Sequence, residues 1–157
     1  MKQPPREKEI QDRMQPGRLT LHGMLGNDHR TLSEIIEADL SVVNRLGVTH
    51  ADIAERMRDL AFAGRAGFGT PVIVDDIYEV AVREDRGVLP CPFDHPGRYP
   101  KSTVYLKNLE TGKELHWTAL GAHMIEAHGF YAGHGARFRI DPARAVKILR
   151  IPPRCSV

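Results

Sequence analysis

Between Cys91 and His134 the chain gathers five of its eight histidines, one of its two cysteines and its only tryptophan. A thiolate and neutral imidazoles are the donors that zinc and other borderline divalent ions take, and four of them can close a tetrahedral shell. Cys91 and His95 bracket a Pro-Phe-Asp stretch, and His123 and His128 follow in Leu-Gly-Ala-His-Met-Ile-Glu-Ala-His. These four are the candidate metal ligands, with zinc as the expected ion and a structural rather than a catalytic role. A five-residue step on a helix turns about 140°, so His128 must sit on a loosened last turn, beside Gly129, to share an ion with His123. His116 and His134 are reserve donors. In the Gly-rich run 129–135, Tyr131 is a candidate pocket wall and Arg137 a candidate anion contact, which makes His116, Tyr131, His134 and Arg137 the candidate ligand-binding set.

Other chemistries compete for the same residues. His123-x-x-Glu126-x-His128 is one residue longer than the inverted zinc-peptidase motif, and the insertion spoils its facing geometry. Cys91, a nearby histidine and Asp94 could form a thiol nucleophile, base and orienter, the basis of a thiol-enzyme or ligand pocket around Cys91, His123 and the 129–135 loop. No nucleophile elbow, phosphate-binding loop or dinucleotide fingerprint is present, and whether the chain is an enzyme stays open. The plainest alternative has the histidines capping helix ends and Cys91 filling the core.

These residues need elements to hold them. Prolines make residues 90–101 an irregular loop, which places Cys91 and His95 off any regular element. Residues 102–108 and 114–117 flank Glu-Thr-Gly-Lys, a hairpin signal, and Thr118 then caps a helix over 119–127 that carries His123. Hairpin followed by helix, with Leu120 three residues before the first of two histidines, locally resembles the second half of a C2H2 zinc finger across residues 102–128. Such a finger carries two cysteines within its hairpin, whereas here Cys91 stands alone upstream with His95 following. The resemblance is therefore one of spacing rather than of family membership.

Upstream, Thr31-x-x-Glu34 and Thr49-x-x-Asp52 start two amphipathic helices, over 32–46 and to about Gly64. Leu32, Ile35, Ile36, Leu40, Val43 and Leu46 form the apolar face of the first, and Ile53, Met57, Leu60 and Ala61 that of the second. The short Gly47 junction admits a helix-turn-helix reading, a nucleic-acid-associated regulatory module using residues 32–63; Asp52, Glu55 and Asp59 on its second helix oppose phosphate. Strands are expected at 72–74 and 77–82, a turn at 84–87, a returning strand at 88–89 and a last strand at 137–140. Asp141-Pro142 opens a final helix. Residues 19–25 read as an edge strand, and residues 1–18 and 152–157 as loosely ordered arms on one domain spanning 1–157.

The expected fold class is α+β, with the N-terminal helical pair packed on a small, mostly antiparallel sheet, a hairpin-helix unit and a short C-terminal helix. At 157 residues, 41% hydrophobic, the chain can bury a core without a metal or disulfide to staple it. A balance of 22 basic against 20 acidic residues does not favour nucleic acid. No apolar run approaches a membrane span, no secretory signal precedes the chain, and Cys91 and Cys155 read as reduced; the expectation is a cytoplasmic protein with no membrane partner.

Overall fold

In a computed structural model, which describes residues 3–154, the chain is α+β, with a four-stranded antiparallel sheet flanked by helices before and after it. The elements run α1 (Pro5–Arg13), α2 (Leu32–Arg45), α3 (His50–Gly64), β1 (Val72–Val74), β2 (Tyr78–Pro90), β3 (Arg98–Asn108), β4 (Glu114–Thr118), α4 (Ala119–His128) and α5 (Pro142–Leu149). Strands pair in sequence order. Among the described residues no helix is long and apolar enough to cross a membrane.

Local chemistry accounts for the helix starts. Thr31 and Thr49 each accept from the backbone N–H three residues on, while Glu34 and Asp52 reach back to the cap, so both boxes close. Thr118 caps α4 and Asp141 caps α5 in the same way, through the N–H of Gly121 and Arg144. The main core lies between α3, α5 and the inner sheet face, where Ile53, Met57, Leu60, Tyr78, Val80, Trp117 and Leu149 are buried together. A second core joins α1, α2 and α4 to the tip of the sheet: Ile10, Met14, Met24, Ile35, Cys91, Leu120, Met124 and Phe130.

The structure departs from the sequence expectations in several places, among them the expected 90–101 loop, which narrows to 91–97 because Pro90 ends β2 and Arg98 starts β3. Residues 5–13 form a docked helix rather than a loose arm, with Ile10 and Met14 buried and Pro5 at its first turn, the one start signal the polar segment offers. Residues 19–25 are irregular, because Met24 and Leu25 are adjacent yet both buried, which a strand cannot arrange on one face. The chain does not turn at 84–87; β2 runs on through a register shift between Asp85 and Val88, and Val88, Leu89 and Pro90 pair with Pro100, Tyr99 and Arg98. Residues 137–138 form a turn and 139–140 are irregular, rather than a strand. On α2, Asp39 is buried and Leu40 is exposed.

At the other end, Pro152–Arg154 is tied down rather than free: the Arg154 N–H donates to the Gly47 carbonyl, and its guanidinium pairs with Asp52. Residues 155–157, with Cys155 and the rest of the expected C-terminal arm, lie outside the described residues.

Candidate metal centre

The long β2–β3 ribbon has a consequence for the chemistry. Its turn, residues 91–97, is the Pro-rich loop, and the ribbon carries that loop across the C-terminal end of α4. Cys91, His123 and His128 come together there, their donor atoms all within 4.8 Å of one another. Cys91 Sγ lies 3.4 Å from His128 Nε2. His95, on the exposed side of the loop, is not one of these three, but its ring centre stands 4.8 Å from that of His123 and 5.5 Å from that of His128. The His123 and His128 rings are 5.4 Å apart and nearly perpendicular.

These spacings can be set against metal geometry. A tetrahedral ion at about 2.1 Å from an imidazole nitrogen lies about 3.2 Å from the ring centre, so two rings on one ion are about 5.2 Å apart. The three observed separations bracket that figure.

The helix does not loosen to achieve this. Helix α4 stays α-helical through His128, and Gly129, at φ 64°, supplies the left-handed cap; the Gly129 N–H donates to the Ile125 carbonyl and the Phe130 N–H to that of Met124. The side chains themselves bridge the five-residue step. Aromatic faces hold them there, with Phe93 stacked on His128 and Tyr99 on His123, each at 4.2 Å between centres. Helix α1 fixes the loop, because Arg13 donates to the Pro92 carbonyl at 2.9 Å and pairs with Asp94, which Arg6 also approaches.

Electrostatically the centre joins a buried thiol to two half-buried imidazoles held in their neutral forms. Burial, then the neighbouring His123 and His95, lowers the His128 pKa to about 4. Burial and His95 also lower that of His123. Burial pushes the Cys91 thiol up, while the backbone N–H groups of Phe93 and His95, directed at the sulfur, pull it down. One atom lacks a partner: His123 Nε2 is buried with no hydrogen bond. An unpaired buried donor or acceptor of this kind costs about 1–3 kcal/mol, so its persistence calls for a partner.

A thiol-nucleophile trio is not assembled. The Asp94 carboxylate is turned to Arg13 and Arg6 instead of to a histidine, and burial raises the thiol pKa rather than lowering it. Cys91 is a free thiol. The helix-turn-helix surface is also occupied: Arg56 pairs with Asp75 and lies over the Tyr78 ring, Arg58 pairs with Glu126 on α4, and the open face of α3 shows Glu55 and Asp59.

Of the candidate ligand-binding set, His116, Tyr131 and Arg137 lie near one another, whereas His134 does not line the cavity that Tyr131 and Arg137 share. His116 is exposed on β4, facing the Arg137 carbonyl at 3.3 Å, and His134 is exposed, its N–H donating to Asp28. Tyr131 is buried and bonds through its hydroxyl to His50 Nδ1 at 2.8 Å; Tyr131 and Arg137 both line one apolar cavity on the sheet side of α4. Within the 129–135 run Gly133 admits the chain's own backbone, for a Cβ there would lie 2.3 Å from the Leu25 carbonyl oxygen. Sequence reasoning missed Arg13, Phe93 and Tyr99 as supports of the centre; Arg13 is visible only once α1 is recognised.

Comparison with protein-family models, with curated proteins and with solved structures gives no match to this chain.

Proposed function

We propose that the protein is a small metal-site protein in which Cys91, His95, His123 and His128 hold one zinc-like divalent ion whose role is structural. The observation that carries this reading is the buried, unpartnered His123 Nε2 inside a group of Cys and His donors within 4.8 Å of one another. His95 supplies the fourth donor, closing the shell on its solvent side by a rotation of an exposed side chain. The ion would fasten the turn of the β2–β3 ribbon to the end of α4. A closed four-donor shell leaves no position for substrate, which sets this centre apart from catalytic zinc. A reducing compartment such as the cytoplasm suits the free Cys91 thiol.

The test is metal analysis of the purified protein after exhaustive dialysis. The reading predicts one zinc per chain, lost in both Cys91→Ser and His123→Ala. Absence of stoichiometric metal, or metal content that survives both changes, sinks it. Chelation is predicted to lower the melting temperature by several degrees without unfolding the chain at room temperature, since two cores remain in place.

A further inference from the structure

On the side of α4 that faces the sheet, the molecule encloses a cavity of about 290 Å³. Its walls are Leu89, Trp117, Leu120, Met124, Phe130 and Phe138, and none of Cys91, His95, His123 or His128 lines it. An engineered apolar cavity of about 150 Å³ accommodates benzene, so this one takes roughly a dozen non-hydrogen atoms.

The polar groups are few and one-sided. Arg137 and His22 stand at the rim, both exposed, and no carboxylate is among the lining residues. Arg137 makes no ion pair among the described residues; its guanidinium lies 5.4 Å from the Phe138 ring centre. Thr20, on the segment that crosses the cavity, has a buried hydroxyl with no hydrogen-bond partner. Tyr131 turns its hydroxyl away from the cavity to His50. An apolar chamber with one cation and one unpaired hydroxyl is complementary to a molecule with an apolar body and a single anionic end.

We propose that this cavity is a binding site for a medium-chain aliphatic carboxylate, its chain among Trp117, Leu120, Met124 and Phe130 and its carboxylate held by Arg137 and the Thr20 hydroxyl. The site is separate from the metal centre, so the two readings stand or fall independently. Residues 20–24 form its cover, anchored by the Met24 N–H donating to the Met14 carbonyl at 2.8 Å.

Trp117 is the only tryptophan of the chain and lines the cavity, which makes its fluorescence the readout. The full chain is titrated with sodium decanoate and, in parallel, with decanol. A saturable 1:1 change is expected, with decanol bound about tenfold more weakly because it lacks the charge that Arg137 meets. Arg137→Gln, an exposed change that leaves the core intact, is expected to weaken decanoate about tenfold and leave decanol unaltered. Ala136→Phe, folded by circular dichroism, fills the chamber and is expected to abolish both. The proposal is overturned by the absence of saturable change up to about 1 mM decanoate, by equal affinity for decanoate and decanol, or by an Arg137→Gln protein that binds decanoate as the parent does.

Discussion

Two buried polar groups lie at opposite ends of the Gly129 cap, and they are satisfied very differently. On one side Asp39 and Arg139 form a bidentate pair at 2.5 and 2.8 Å, Arg139 also donates to the Ala132 carbonyl, and His50 is bonded to the Tyr131 hydroxyl. Every named side chain there has a partner within the chain. On the other side Cys91, His123 and His128 crowd together with a single long sulfur–nitrogen contact, and one imidazole nitrogen has no partner at all. The first arrangement is complete in itself and belongs to the fold. The second leaves one nitrogen unpaired among three donors that face one another, the arrangement that the proposed ion would complete.

The comparison can be broken most forcefully at its satisfied half. Asp39→Ala leaves the Arg139 guanidinium, whose side chain is only 13% exposed, with the Ala132 carbonyl and a more distant Asp141, and is expected to cost about 3 kcal/mol in urea denaturation while leaving metal content unchanged. Gly129→Ala tests the junction between the two: with φ at 64° and a Cβ that would come 2.7 Å from His50 Nε2, it should cost about 1–3 kcal/mol. It should also weaken metal binding through the adjoining His128. Arg13→Gln frees the 91–95 loop and is expected to reduce metal affinity about tenfold, measured by chelator competition, with little change in melting temperature.

Titration separates the halves further. His128 is held neutral by burial and then by His123 and His95, and His123 by burial and then by His95, so the unfolded chain takes up protons first as pH falls. The metal-free protein should keep this contribution in full above the ordinary imidazole value near 6.5 and lose it as pH falls towards about 4. His128→Gln is expected to flatten that part of the stability–pH curve. The smallest effect is the most discriminating: in metal-free protein His123→Leu removes an unpaired nitrogen and should be neutral, or stabilising by about 1 kcal/mol, whereas in metal-loaded protein it should destabilise.

The elements that position the centre differ in how far the sequence reveals them. Cap chemistry at Thr31, Thr49, Thr118 and Asp141 marks four helix starts because it is local, a side chain answering a backbone group three residues away. The α+β class and the antiparallel pairing around Gly112 follow from periodicity and turn chemistry. Long-range partners leave no such trace. Asp39 reads as a solvent residue until Arg139, 100 positions away, arrives beside it. Helix α1 has only Ile10 and Met14 to bury, too few for a pattern, so its hold on the 91–95 loop through Arg13 is invisible in the residue order. The donor types and their rough neighbourhood are legible at Cys91, His95, His123 and His128. That the ribbon reaches across the end of α4 depends on β2 continuing through its bulge, a feature of pairing rather than of composition.

The most direct measurement of the central claim is cobalt substitution followed by visible and near-ultraviolet absorption. The account predicts uptake of one Co²⁺ per chain with the intense visible bands of a tetrahedral site and a thiolate-to-metal charge-transfer band that disappears in Cys91→Ser. Weak octahedral bands, or a charge-transfer band that survives Cys91→Ser, would contradict it.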